Sequence, residues 1–287
     1  MQHKFFLLFS FFSLFSFGQQ NNSTLNASQK LTEVLLNVDR YYVDSPDISK
    51  LTETAIVSLL EELDPHSTYI PKEELDDAQM TINGSFVGIG VRFQLMKDTI
   101  SVVATIPGGP SEKLGILPGD QIVQVDGNIV AGIGIKNDQV RQKLMGDLGT
   151  KVKVTVNRKG KLLDFNITRD KIPVFSVDAA YMIDKEIGYI KLNSFSKTTV
   201  QEVQTALQML KSQGMKSLIF DLQSNGGGLL DAAHKLADEF LSGDKLIVYS
   251  EGRAQQRYDL KAAKKGLFEE GQLVILTDEY SASASEI

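Results

Sequence analysis

The feature that most constrains this chain is a change of texture along its length. From Phe86 onward, glycine, proline, asparagine and aspartate cut the sequence into short β-rich runs, at residues 100–106, 121–125, 152–156 and 162–167. One helical stretch, residues 137–145, interrupts them. A block of this size, about ninety residues, is a domain in its own right. The region before it is helical. Leu31, Val34, Leu35 and Val38 recur at helical spacing, as do Ala55, Ile56, Leu59, Leu60 and Leu63, and Asp64-Pro65 stops the second run. Residues 21–27 read as a polar linker. The region after the block is αβ. Strands are expected at 187–192, 218–222 and 273–277. Val200, Val203, Leu207 and Leu210 mark one helix, ended by Gly214, and Leu229, Ala233, Leu236, Ala237 and Phe240 mark another. A further helix is expected to begin at Ser281.

The N-terminus belongs to none of these. Lys4 precedes an almost wholly apolar run, residues 5–17, too short to span a bilayer. Ser16-Phe17-Gly18 then places small residues where a leader peptidase cuts. Residues 1–18 therefore read as a secretory signal peptide, and the mature protein as exported. The 287 residues carry no cysteine, three histidines and a net charge of −6. That composition excludes a disulfide framework, a cysteine nucleophile and thiolate metal sites, and it disfavours a general nucleic-acid binder. A Ser-His-Asp triad is hard to build from His3, His66 and His234.

Three motifs carry chemistry. The first is Gly88-Ile89-Gly90-Val91, where Gly90 permits a turn whose adjacent N–H groups form a nest for a carboxylate. The strand after it, residues 91–95, is placed to pair with an incoming peptide. The second is Asn225-Gly226-Gly227-Gly228, a glycine turn between a buried strand and a helix. Such a turn holds a phosphate or a developing oxyanion. A phosphate loop needs Lys-[Ser/Thr] after the glycines, but Leu229-Leu230 stand there, so the oxyanion is preferred. The third is Ser281-Ala282-Ser283-Ala284-Ser285-Glu286-Ile287, which presents a serine at a strand-to-helix turn. Taken singly, the second is also a plain glycine turn and the third a serine-rich helix cap.

The first motif, with Leu117-Pro118-Gly119-Asp120-Gln121-Ile122 and Val125-Asp126-Gly127, resembles a PDZ domain of the bacterial protease type. That resemblance puts Val140 and Leu144 on the helix lining its groove. Together with the NGGG and SASASEI motifs and Leu63-Asp64-Pro65-His66-Ser67-Thr68-Tyr69-Ile70, the chain resembles the C-terminal processing peptidases, or tail-specific proteases. The resemblance implies an α+β multidomain fold: a helical region at 28–83, an inserted β-barrel-like PDZ domain at 84–170, and a ClpP/crotonase-like αβ protease core at 171–287, incomplete at its C-terminus. It implies a Ser–Lys dyad with Ser283 as nucleophile and the Ala284 and Gly227 N–H groups as oxyanion hole. It implies no cofactor and no metal. The expected partners are polypeptides with free apolar C-termini, with the N-terminal helices as a route to homo-oligomers. The expected location is periplasmic or extracellular, in a bacterial envelope. Gly226 stands where the family often has proline, and Gln223 where it more often has arginine. The family's general-base lysine falls in a Gly-Lys-Gly segment after the serine helix, beyond Ile287. Residues 19–287 alone are therefore expected to bind C-terminal peptides without cleaving them, and the competing reading is a non-catalytic PDZ peptide-binding protein. The lysines at 261–265 are expected to be solvated and His66 to be structural, and His234 matches no catalytic position of the family.

Overall fold

The computed structural model describes residues 22–287. The expected signal peptide lies outside them. The described chain divides into two units, one ending at Tyr69 and one spanning Ile70–Ile287.

The first unit holds α1 (Asn22–Tyr41) and α2 (Ile48–Glu61). Helix α1 already begins where a polar linker was expected, because extending a nucleated helix is cheap compared with starting one. Asp47 caps α2 by accepting the Lys50 N–H at 3.0 Å. Past the helix, the Asp64 carboxylate accepts the His66 and Ser67 N–H groups, both at 2.9 Å, and the Ser67 hydroxyl at 2.8 Å. The Ser67 hydroxyl is the main reason its pKa lies below the usual value. Helix α2 buries no residue, and Leu25, Leu31, Val34 and Leu36 of α1 are exposed.

The second unit starts with α3 (Lys72–Asn83), closed by Gly84 in the left-handed region (φ +66°). The β-rich block comes next: β1 (Ser85–Gly88), β2 (Val91–Met96), β3 (Thr99–Thr105), α4 (Pro110–Lys113), β4 (Gln121–Val125), β5 (Asn128–Ile129), α5 (Asn137–Leu144), β6 (Lys151–Arg158), β7 (Lys161–Thr168) and β8 (Asp170–Pro173). An antiparallel sheet runs β2-β3-β4-β6-β7, with β5 paired to β4. Strands β1 and β8 pair with each other, so the block's first and last strands leave together. Asp126-Gly127 and Lys159-Gly160 each place two positive φ angles in a tight hairpin turn, the handedness that matches strand twist. Ile100, Ile122, Val154, Val156 and Ile167 form the core, with Val140 of α5 packed into it.

One buried charge stabilises this block. Asp120 is 1% exposed, and its carboxylate accepts the Arg158 Nε and Nη2 hydrogens, each at 2.7 Å, and the Leu117 N–H at 3.0 Å. Burial pushes its pKa up, but the Arg158 and Leu117 bonds outweigh it and hold the group below the usual carboxylate value. A lowered folded-state pKa makes this contribution full at neutral pH and removes it as acid protonates the group. Arg158→Met leaves the buried carboxylate without its cation, at an expected cost of about 3 kcal/mol at pH 7. Denaturant titration at pH 7 and pH 3 checks this. The deficit should shrink at pH 3, and a variant as stable as the parent at pH 7 would contradict it.

The αβ part contains β9 (Val177–Met182), β10 (Ile187–Leu192), α6 (Thr199–Ser212), β11 (Ser217–Asp221), α7 (Leu230–Ala237), β12 (Leu246–Gly252), β13 (Gln255–Lys261), β14 (Gln272–Leu276) and a 3-10 turn at Ser283–Glu286. The sheet order is β14-β11-β10-β9; β10, β11 and β14 are parallel, and β9 is antiparallel at one edge. Val203, Leu207 and Leu210 of α6 pack with Ile190, Leu218 and Phe220 in its core. In the parallel register Asp221 stands beside Leu276, so the loops leaving β11 and β14 emerge side by side. Open sheets of this kind form their crevices at the carboxyl ends of the strands. The expected C-terminal α-helix is instead a 3-10 turn. The lysines at 261–265 are exposed, as expected; from the surface Lys264 pairs with Glu239, which is 1% exposed, and Lys261 pairs with Asp244 at 3.3 Å.

Candidate active site

The loop after β11 and the turn after β14 meet. Gly227 has φ +98°, and a Cβ built on it would lie 2.6 Å from the Ala282 oxygen and 2.9 Å from both the Ala284 nitrogen and the Ser283 Cβ. Only a residue without a side chain allows that approach. Gly228, at φ +142°, comes closer still to its own neighbour, with its Cβ position 2.1 Å from the Phe195 oxygen. The three residues expected to carry the reaction, Ser283, Gly227 and Ala284, are therefore in one place.

Ser283 itself sits at φ +56°, a conformation rare for a residue with a side chain, and it is exposed while Ala284 behind it is buried. Strain of this kind gathers at functional turns. The Ser283 N–H donates to Glu286 Oε2 at 2.6 Å. The Gly227 N–H donates to Asn225 Oδ1 at 2.9 Å, so in this arrangement that donor is held inside its own loop. Asn225 is not among the residues that the sequence marks as catalytic, yet it organises the site. It is fully buried, its Nδ2 donates to the Leu192 carbonyl at 3.0 Å, and its own carbonyl accepts the Ala282 N–H at 3.1 Å and the Ser285 hydroxyl at 2.8 Å. A polar residue opening a glycine turn was the available signal.

The β11 end of the loop is fixed by charge. The Asp221 carboxylate accepts the Tyr189 hydroxyl at 2.5 Å, the Gln223 N–H at 2.8 Å and Lys191 Nζ at 3.1 Å. Lys191 also donates to the Gln223 carbonyl. Hydrogen bonding to Asp221 is the main cause that pushes the Tyr189 phenol up to about 12. Burial raises the Asp221 pKa, and the bonds from Tyr189, Gln223 and Lys191 overcome that and lower it. Lys191 is thus committed to holding the loop. The His234 ring Nε2 hydrogen-bonds the Lys261 carbonyl at 2.8 Å, and its backbone carbonyl accepts the Asp238 N–H at 3.1 Å.

A second site lies between β2 and α5. Among the described residues strand β2 pairs only with β3, leaving its other edge open toward a groove of about 780 Å³. Gly88, Ile89, Gly90 and Val91 line one end. Gly90 has φ +73°, and Ser111 anchors the turn by donating its hydroxyl to the Ile89 carbonyl at 2.6 Å. Among the described residues the Ile89 and Gly90 N–H groups have no hydrogen-bond partner, the property a carboxylate nest requires. On α5, the residues that line the groove are Asn137, Arg141 and Leu144, one helical face. Val140 is 0% exposed and points into the core instead.

Comparison with known proteins bears on both sites. Residues 87–168 match the PDZ domain model, and residues 186–287 match that of peptidase family S41. The carboxy-terminal processing protease CtpA of Bacillus subtilis is 36% identical over 94% of this chain and 58% of its own length. The carboxy-terminal-processing protease of Bartonella bacilliformis is 36% identical over 94% of this chain and 62% of its own. The chain is thus similar to carboxy-terminal processing proteases along most of its length, and part of it matches peptidase family S41. The two matches lie in one polypeptide, and the chain spans about three-fifths of the length of these two relatives. A solved photosystem II D1 C-terminal processing protease overlaps 89% of this chain and 75% of that one, at 26% identity and a TM-score of 0.39.

Proposed function

We propose that the protein is an exported serine endopeptidase that captures polypeptide C-termini in the PDZ groove and cleaves them at Ser283. The observation that supports this most strongly is the contact of Gly227 with Ser283 and Ala284, which joins a glycine turn to a strained, exposed serine. In this reading the helical region runs from 28 to 83, the PDZ domain from 84 to 170 and the protease core from 171 onward. The base is a lysine in a Gly-Lys-Gly segment beyond Ile287.

The Ser283 Oγ attacks the scissile carbonyl carbon while its proton passes to the neutral lysine amine. The carbonyl π pair moves onto oxygen, and the oxyanion accepts the Ala284 N–H. The Gly227 N–H joins it by leaving Asn225 Oδ1. The lysine then returns the proton to the departing amine as the C–N bond breaks, leaving an acyl-serine that water hydrolyses. No step calls for a metal or a cofactor. Residues 1–18 act as signal peptide, which places the protein in the periplasm or outside the cell; among the described residues, no helix is long and apolar enough to cross a membrane. The exposed apolar residues of α1 and α2 support homo-oligomers formed through these helices.

The groove is tested by binding. With Ser283→Ala to prevent turnover, a peptide ending in a free apolar residue is expected to bind about tenfold or more tighter than its C-terminal amide, because amidation removes charge-assisted bonds to the nest. Calorimetry measures both. Equal affinities would remove the groove assignment. Tight binding of the free peptide, with no cleavage by the parent protein, would favour a non-catalytic peptide binder.

A further inference from the structure

We propose that Asp278 is a positioning residue that locks the oxyanion loop to the nucleophile turn; the proposal rests on the peptidase reading above. Asp278 follows β14 and touches neither the Ser283 hydroxyl nor the groove. Its Oδ1 accepts the Ser224 N–H at 2.8 Å and the Tyr280 N–H at 3.1 Å, and its Oδ2 accepts the Ser224 hydroxyl at 3.0 Å. Its own N–H donates to the Ser281 oxygen at 3.0 Å, and its carbonyl accepts the Ser281 N–H at 3.1 Å.

The two arms of this cluster end at the two halves of the site. On one side Ser224 has φ +58°, a left-handed conformation unfavourable to serine, and Asp278 takes both of its donors. Ser224 leads directly into Asn225, whose side chain holds the Gly227 N–H. On the other side Ser281 leads through Ala282 to Ser283, and the Ala282 N–H reaches back to the Asn225 carbonyl at 3.1 Å. One carboxylate therefore sets the distance between the glycine turn and the serine. An ionised carboxylate suits the position because it accepts at both oxygens and donates at neither. Alanine leaves these donors without an acceptor. Asparagine keeps Oδ1, and its amide can donate to the Ser224 oxygen instead, so most of the cluster survives.

The test is a pair of variants in the intact protein. Asp278→Ala is expected to lower kcat about 10- to 100-fold with KM within about twofold of the parent, since the groove is untouched and only the reacting geometry shifts. Asp278→Asn should recover kcat to within about threefold of the parent. A residue that served stability alone would lower the unfolding temperature and leave kcat unchanged well below it. That outcome, or Asp278→Asn no better than Asp278→Ala, overturns the proposal. Amide exchange on the same proteins gives a readout independent of turnover. The Gly227 and Ala282 amides should exchange about tenfold or more faster in Asp278→Ala, and unchanged exchange overturns the proposal. If the parent cleaves no peptide, the peptidase reading falls, and exchange still decides the role of Asp278.

Discussion

Ser283→Ala is expected to lower peptide cleavage by roughly a thousandfold or more, while leaving the fold and peptide capture intact. The hydroxyl is the proposed nucleophile, so no other group in the turn replaces it. Alanine also fits a turn already flanked by Ala282 and Ala284. The neighbouring serines give the contrast. The Ser281 hydroxyl donates to the Leu222 carbonyl at 2.8 Å, and the Ser285 hydroxyl to the Asn225 carbonyl at 2.8 Å. Each is a structural bond worth about 1 kcal/mol net, so Ser281→Ala and Ser285→Ala should retain far more activity. Steady-state kinetics of the three variants decides the matter. Activity surviving in Ser283→Ala, with a comparable loss in either neighbour, would move the nucleophile elsewhere in the turn.

Gly227→Ala is the second large effect, and Gly226→Ala is its internal control. At Gly227 a new Cβ meets the Ala282 oxygen at 2.6 Å and the Ala284 nitrogen at 2.9 Å, with the backbone at φ +98°. These are backbone atoms, which cannot swing aside as a flexible side chain would. Relief requires pushing the serine turn away from the glycine turn, so kcat should fall about 100-fold or more. The strain should also cost about 1–3 kcal/mol of stability. At Gly226 nothing lies within 4 Å of the added carbon and φ is not in the left-handed region. Gly226→Ala should therefore keep activity within about threefold and stability within about 0.5 kcal/mol. Kinetics and thermal unfolding of the two variants test the contrast. Similar behaviour at both positions would mean that the contact of Gly227 with the serine turn does not govern the chemistry.

How much of this is legible in the sequence depends on the kind of signal. The strands at 187–192 and 151–158 and the helices α5 and α6 follow from apolar spacing and breakers, because their burial is periodic. The hairpin β12–β13 is missed because β13 is almost wholly exposed, and its Gln-Gln-Arg-Tyr-Asp run carries no buried alternation. Val140 illustrates a different limit. A resemblance places a residue on a helix, but the face is set by packing: α5 turns Val140 into the core and Asn137 and Arg141 to the groove, with Leu144 in the core and also at the groove wall. The glycine and serine motifs are each visible, but their adjacency comes from the parallel order β10-β11-β14, which local periodicity does not encode. The roles of Asn225 and Asp278 escape for the same reason. Their partners lie across the sheet ends, more than fifty residues away in the chain for Asp278 and Ser224.

Covalent trapping tests most directly whether Ser283 attacks a peptide carbonyl. The intact protein is incubated with a peptidyl phosphonate ester, which forms a stable bond to an activated serine, and the modified residue is located by mass spectrometry. The expected result is a single adduct on Ser283, absent from Ser283→Ala and strongly slowed in Gly227→Ala. An adduct on another residue, or one that forms equally in Ser283→Ala, would contradict the assignment of Ser283 as nucleophile.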